Sequence, residues 1–580
     1  MSSYLETIDS PQDLKALPIG ALGELAQEMR EALIYSIMKN GGHLGSNLAV
    51  IEMTIALHYV FNSPEDKFIF DVSHQSYAHK MLTGRKMGYM YPDDYAMPCG
   101  FTNPEESVHD FFELGHTSSS ISIATGIAKA FALDKKGNKV IAIIGDGSLS
   151  GGQAFEGLNN ASRAGSNMII VVNDNEMSIA PNQGGLYQNL KALRESHGTC
   201  ELNIFKAMGL DYIYVEDGHD IPSLIAAFKQ AATLGSGCVV HVHTIKGKGH
   251  PWALSHKEAA HKVGKAGACP EAPAKGSFEE LTCEYLQKRL EDDPKLLIVS
   301  AATPRANGLF PQFRKIAGDR FIDVGIAEEH AVSYIAGAAK AGAHPVLLIY
   351  STFLQRAYDQ IMQDLALNNC PATILVFRSG IEGGPATHSG VHDISMVSHI
   401  PNLKCLSAAT RQEYLSQLAW SLDQNEGPTI LRVPRTVIED DGVVDSSWGG
   451  QVKYRTWQKG SKVAILALGS TLKMACQAAQ IVERTQGICP TIVDPRTYSD
   501  IDADYLTKLE ADHSLVVVIE NGIVSGGFGQ SIAEYYGTCE MRVVCIGEKK
   551  KFFDYTGRDA EAKEANLTAE AIAEKIIEAL

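Results

Sequence analysis

An α/β fold with several mainly parallel sheets, each flanked by helices, is predicted by three observations. Short apolar runs rich in Val and Ile recur along the chain, and each ends in a glycine or polar turn. Helical stretches lie between them, the βαβα alternation of a parallel sheet covered on both faces. Apolar residues make up 45% and charged residues 21%, the balance of ordinary globular domains rather than of disordered or disulfide-stapled chains.

The elements follow in order. Residues 139–144 (KVIAII) read as a buried strand ending in Gly-Asp-Gly. Residues 167–172 (NMIIVV) read as a second, ending in Asn-Asp-Asn, and 238–245 as a third; 121–133 is a helix among them. Residues 262–277 (KVGKAGACPEAPAKGS) have the Gly, Ala, Pro and Lys content of a linker. A second block has strands at 345–350, 373–377 and 429–433. Residues 439–450 (EDDGVVDSSWGG) form another break. A third block has strands at 463–468, 491–493 and 515–519 and closes with a helix over 568–580. Three domains are expected, 1–270, 278–440 and 450–580. That agrees with the three or four that 580 residues suggest at roughly 150 per domain.

The chain carries 51 Lys and Arg against 68 Asp and Glu, a net charge of −17. Such a chain is a poor general binder of nucleic acid or anionic membrane, though a local basic pocket for one phosphorylated metabolite is compatible with it. No apolar run reaches about 18 residues, so no membrane span is expected. The opening MSSYLETIDSPQDLKALP lacks the basic end and apolar core of a signal peptide, so a cytoplasmic location is expected. The eleven cysteines contain no CxxC pair, which points to reduced thiols and no zinc site.

In open parallel sheets, ligands bind at the carboxyl ends of strands. Gly145-Asp146-Gly147 and Asn173-Asp174-Asn175 both sit there, with 29 residues from Asp146 to Asn175. A carboxylate, an amide oxygen and a backbone carbonyl are hard ligands suited to Mg²⁺, whose remaining positions phosphate oxygens complete. Gly147, Gly151 and Gly152 let backbone N–H groups approach a diphosphate at the start of the next helix. A second candidate is 323–330 (DVGIAEEH), a carboxylate opening a helix after a glycine turn. It is followed 22 residues after Glu328 by 350–359 (YSTFLQRAYD). Four histidines, His43 (GGHLGS), His74 (DVSHQS), His116 (GHTSSS) and His388 (PATHSG), lie in turns of small residues. They suit a pocket for a hydroxylated substrate, and their spacing matches no single metal motif.

Together these stretches resemble the thiamine-diphosphate enzymes that include transketolase, and most closely the 1-deoxy-D-xylulose-5-phosphate synthase branch. The resemblance covers most of the chain. It is carried by GGHLGSNLAVIEMTIALHYVFNSPEDKFIFDVSHQSYAHKMLTGR, GHTSSSISIATGIA, GDGSLSGGQAFEGLNNA, DVGIAEEHAV and YSTFLQRAYDQ. It implies a transketolase-like three-domain architecture that binds thiamine diphosphate and Mg²⁺. Asp146, Asn175 and the Met177 carbonyl would hold the metal. His74, Gly115, Gly147, Ser148 and Lys246 would surround the diphosphate and thiazolium. Phe353 would stack on the aminopyrimidine, and Glu328 would hydrogen-bond its ring nitrogen N1′. His43, His116, His261 and His388 would handle protons and sugar hydroxyls. Tyr350, Arg356 and Arg378 would line the acceptor channel, with Arg432 and Arg435 on the acceptor phosphate. The implied reaction joins pyruvate to D-glyceraldehyde 3-phosphate with loss of CO₂, in a homodimer, for isoprenoid or thiamine biosynthesis.

Two features depart from the pattern. After the channel arginine the branch reads roughly Gly-Ala-Asp-Gly-Pro-Thr-His. Here Arg378 is followed by SGIEGGPATH, without the aspartate and with Glu382 near its place. The stretch from Asn175 to Gly209 is also short. The first departure leaves room for a different aldehyde acceptor, or for transketolase-like transfer of a two-carbon ketol unit. A chain that kept the fold but lost catalysis would have lost Glu328, Asp146 or Asn175, and all three are present.

Overall fold

A computed structural model describes residues 3–165, 167–234, 237–435, 450–553 and 557–580. The chain divides into two compact units. One comprises Met1–Pro270 with Gly325–Ala327, and the other Glu271–Val324 with Glu328–Leu580.

The first unit is built on a parallel sheet of β1 (Lys67–Phe70), β2 (Val140–Gly145), β3 (Met168–Asp174), β4 (Asp211–Val215) and β5 (Cys238–His243), in the order β1-β2-β3-β5-β4. The near-continuous apolar runs have a direct cause. Ile141, Ile143, Ile169, Val171, Val240 and Val242 face one apolar cluster, while Val140, Ala142, Ile144, Met168, Ile170 and Val172 face another on the opposite side. Successive strand residues point to opposite faces, so a sheet covered twice needs apolar residues at every position. The register pairs Gly145 with Asn173, which brings the two polar turns out side by side at the carboxyl edge. Val263 of the expected linker pairs with Gly42, each N–H donating to the other's carbonyl at 2.9 Å. The first part of that segment is therefore tied into the first unit.

The second unit holds two sheets. One is parallel, with β6 (Leu296–Ser300), β7 (Phe321–Asp323), β8 (His344–Tyr350), β9 (Thr373–Phe377), β10 (Lys404–Ser407) and β11 (Thr429–Val433) in the order β10-β11-β9-β8-β6-β7. The other is β12 (Arg455–Gln458), β13 (Lys462–Ala467), β14 (Thr491–Asp494), β15 (His513–Ile523) and β16 (Arg542–Glu548), ordered β12-β14-β13-β15-β16. Only β12 runs antiparallel to its neighbour among the described strands. The sheets share one apolar cluster. Leu347, Ile349, Ile374 and Val376 from the first join Ala464, Leu466, Val516 and Val518 from the second. The expected blocks 278–440 and 450–580 thus carry separate sheets on a common core. Residues 439–449 of the expected break lie outside the described residues.

Candidate functional site

Asp146 follows β2 directly, and its N–H continues the ladder to the Asn173 carbonyl at 3.0 Å. Its carboxylate is 1% exposed and accepts from Asn182 Nδ2 at 2.6 Å. Burial, and then the charge of Asp174, push it up to about 7. A carboxylate in that position is short of positive charge.

The Asn-Asp-Asn turn divides its labour. Asn173 donates to Gln75 Oε1 at 3.1 Å and accepts from Thr244 Oγ1 at 2.5 Å. Asp174 accepts from Arg194 Nη1 at 2.5 Å, and His241 Nε2 lies 2.9 Å from it. Burial opposes its charge, yet His241 and Arg194 hold the carboxyl below the usual range. Asn175 Oδ1 is buried with no hydrogen-bond partner among the described residues. So two of the three side chains are committed to the fold, and the third presents an unmatched acceptor. Glu176 then takes φ +64, and Met177 bridges Pro181, which returns the chain to Asn182. Gly147 permits this turn, because a Cβ there would lie 2.6 Å from Ser178 Cβ. The Ser178 carbonyl accepts from Lys246 Nζ at 2.5 Å. That ammonium is buried, which lowers it to about 8 against the pull of Asp146.

No group of three or more His, Cys, Asp and Glu able to hold a metal occurs among the described residues. The donors at this edge are instead one carboxylate, one orphaned amide oxygen and a turn carbonyl. That set fits Mg²⁺ bound through a diphosphate and does not suit a zinc-type centre.

Three of the histidines meet in the first unit. Ring centroids lie 5.1 Å apart for His43–His74, 5.6 Å for His43–His261 and 5.2 Å for His74–His261, with Phe101 at 5.8 Å from His43. Asn47 Nδ2 donates to the carbonyls of both His43 (2.7 Å) and His74 (2.8 Å), which fastens the two turns together. Val72 and Ser73 precede His74 at φ +59 and +61, an uncommon backbone for a β-branched residue. Burial lowers His74 to about 3 and His261 well below its ordinary value, so both rings are neutral near pH 7. Their Nδ1 atoms have no hydrogen-bond partner among the described residues. Gly115 is buried and His116 half-buried in the turn before the helix Ser120–Leu133, and the Ser148 carbonyl accepts from Ser118 Oγ at 2.7 Å. His388 lies in the second unit.

There, Glu328 opens the helix Glu328–Lys340 with its side chain buried. Oε2 makes no hydrogen bond among the described residues, and Arg356 Nε stands 3.3 Å away. Burial raises the carboxyl to about 7 although Arg356 opposes the shift. Phe353 stacks on Tyr350 with centroids 5.6 Å apart and planes 15° apart, and His388 meets Phe353 edge-on at 5.8 Å. The Arg378 guanidinium lies 4.2 Å from the Tyr350 ring centroid. Arg435 Nη1 is 3.5 Å from Glu382 Oε2. Tyr350, Phe353, Arg378 and His388 therefore form one contiguous group.

Arg356 faces Glu328, and also Glu329 at 3.8 Å. One of the expected arginines, Arg432, lies elsewhere than expected. Arg432 was expected on a substrate phosphate, but it is 3% exposed and pairs through Nε and Nη2 with Asp393 at 2.7 and 3.0 Å. Nη2 also donates to the Asn521 carbonyl at 2.8 Å. Its side chain points into the sheet-to-sheet core of the unit, and the charge pair is satisfied there. Sequence reasoning missed Asp393, and likewise Asn182 and Asn47, because isolated polar residues with no periodic partner leave no signal.

A family model for 1-deoxy-D-xylulose-5-phosphate synthase matches residues 5–202. Models for the transketolase pyrimidine-binding domain and the transketolase C-terminal domain match 277–439 and 450–572. The transketolase of Campylobacter jejuni has a TM-score of 0.46 at 17% identity, over 97% of this chain and all of that one. The three domain models together define a transketolase-like α/β enzyme of the thiamine-diphosphate class. The 1-deoxy-D-xylulose-5-phosphate synthase of Symbiobacterium thermophilum is 36% identical over 99% of this chain and 94% of that protein. The one from Carboxydothermus hydrogenoformans is 39% identical over 92% of each. The chain belongs to the 1-deoxy-D-xylulose-5-phosphate synthase family.

Proposed function

We propose that this enzyme condenses pyruvate with D-glyceraldehyde 3-phosphate, releasing CO₂ and forming 1-deoxy-D-xylulose 5-phosphate, with thiamine diphosphate and Mg²⁺ as cofactors. The observation that carries the reading is Glu328. It is a buried carboxyl raised to about 7, with one oxygen that makes no hydrogen bond among the described residues although Arg356 lies 3.3 Å away, in the same unit as the Tyr350–Phe353 stack. Family membership along nearly the whole chain supports the same substrates.

When bound, thiamine diphosphate supplies the electron sink for decarboxylation and for carbon–carbon bond formation. The chain's own residues do the rest. Asp146, Asn175 Oδ1 and the Met177 carbonyl hold Mg²⁺, and Gly115, Gly147, Ser148, His74 and Lys246 hold the diphosphate side. Phe353 provides a face for the aminopyrimidine. Glu328 holds a proton at N1′, which a carboxyl of ordinary acidity would have released at neutral pH. His43, His116, His261 and His388 offer imidazoles to substrate hydroxyls and to protons in transit. Tyr350, Arg356 and Arg378 border the acceptor, and Arg435 takes its phosphate, since a guanidinium fork matches phosphate oxygens. In domain terms, 1–270 binds the diphosphate and metal, 278–440 the pyrimidine, and 450–580 is the C-terminal domain. We place the enzyme in the cytoplasm as a homodimer. Eleven free cysteines suit a reducing compartment, and no described helix is long and apolar enough to cross a membrane.

The test is a CO₂-release assay with product identification, using pyruvate with and without D-glyceraldehyde 3-phosphate. CO₂ formed in step with 1-deoxy-D-xylulose 5-phosphate upholds the reading. CO₂ without that product would replace the acceptor, and no CO₂ would move the reaction to ketol transfer.

A further inference from the structure

The segment where this chain departs from its branch, after Arg378, is rigidly held on both sides of Glu382. Gly380 N–H donates to the Gly390 carbonyl at 2.8 Å, and Ile381 N–H donates to Asn521 Oδ1 at 2.8 Å. The Ile381 side chain is buried with Val463, Ile465 and Val517 in the core of the β12–β16 sheet. Gly383 N–H donates to Glu561 Oε2 at 3.2 Å. Gly383 also takes φ +65 and packs so closely on the helix Arg558–Glu564 that a Cβ would lie 2.4 Å from the Arg558 nitrogen. The Glu382 side chain is 11% exposed, and burial raises its carboxyl, opposed by the charges of Arg378, Arg435 and Arg558; Arg435 Nη1 lies 3.5 Å from it.

A carboxylate that pairs with Arg435 and feels the charges of Arg378 and Arg558 takes up positive charge that a phosphate would otherwise take. Arg378 and Arg435 belong to the proposed acceptor site. A dianion and a carboxylate cannot share the same donors without strong repulsion, so one must yield. We propose that Glu382 is the resident counter-ion of the acceptor's phosphate subsite, and that the incoming phosphate competes with Glu382 for Arg435. This rests on the acceptor-site reading above. It makes Glu382 a specificity-determining residue. A phosphorylated acceptor brings enough charge to displace it, while singly charged anions are turned away.

The experiment uses the holoenzyme and its Glu382→Gln, Glu382→Ala and Arg435→Ala variants. It measures KM for D-glyceraldehyde 3-phosphate and for D-glyceraldehyde, together with calorimetric binding of inorganic phosphate. Glu382→Gln is expected to lower KM for the phosphorylated acceptor, and to tighten phosphate binding, by about fivefold. KM for D-glyceraldehyde should move less than about twofold. Glu382→Ala should act in the same direction. Unchanged or weakened phosphate binding in both Glu382 variants overturns the proposal. If Arg435→Ala affects both acceptors equally, the acceptor-site reading itself fails. If Arg435→Ala acts on the phosphorylated acceptor alone while the Glu382 variants do nothing, only the counter-ion proposal fails.

Discussion

Glu328 Oε2 lies 3.3 Å from Arg356 Nε, yet it makes no hydrogen bond among the described residues, and burial raises the carboxyl to about 7. An arginine this close would ordinarily keep a glutamate ionised. Here desolvation outweighs it, so the carboxyl keeps a proton available for a ring nitrogen.

Glu328→Gln should therefore reduce turnover by more than about a hundredfold with the fold intact. A stability readout separates this from structural damage. The folded-state pKa is raised above the unfolded one, so the native state binds more protons between about 4.5 and 7. Stability is then lost as pH rises through that window. In the cofactor-free protein, Glu328→Gln should raise Tm relative to wild type at pH 8 and leave it unchanged at pH 4.5. A Tm difference independent of pH would contradict the burial argument.

Asp146 makes a parallel case at the cation edge. Its carboxyl must ionise to bind Mg²⁺, and burial together with Asp174 sets that ionisation near pH 7. Mg²⁺ affinity should fall about tenfold between pH 8 and pH 6. Asp146→Asn should weaken Mg²⁺ binding by at least about tenfold and flatten that pH dependence. Titration with Mg²⁺ in the presence of thiamine diphosphate reads both.

The parts of this molecule that were legible in its sequence are those whose physics is local. β2 and β3 are apolar at every position because both faces are covered, and their turns are glycine and Asn/Asp at the strand ends. β4 and β12 left weaker traces. DYIYV and RTWQ are only half-buried, so neither continuous burial nor clean alternation marks them. The shared core of the two sheets in the second unit was not legible either, since it depends on which faces meet across the chain. Of the proposed site residues, Asp146, Asn175 and Glu328 were singled out by their turn chemistry. The roles of Arg432 and Arg435 were not legible, because they flank Pro434 almost symmetrically in LRVPR and only Asp393, 39 residues earlier, tells them apart.

The exposed arginine of that pair should behave as a ligand. Arg435 is 62% exposed on its side chain, and among the described residues its ion-pair partner is Glu382 at 3.5 Å. Arg435→Ala should raise KM for D-glyceraldehyde 3-phosphate by about tenfold and leave Tm within a degree or two of wild type. A large Tm loss would mean that its role is structural.

The buried arginine should do the reverse. Arg432 and Asp393 form a bidentate pair, 3% and 1% exposed, with the Asn521 carbonyl taking a further donor. Removing one partner leaves the other charge in the core without compensation, which costs about 3–5 kcal/mol. Arg432→Ala and Asp393→Ala should each lower the denaturation midpoint substantially. Replacing both together should cost less than the sum of the two, because neither charge is then stranded. In variants that stay folded, KM for the phosphorylated and unphosphorylated acceptors should shift by the same factor. A selective loss of the phosphorylated acceptor in Arg432→Ala would return this residue to the phosphate site and remove it from the core.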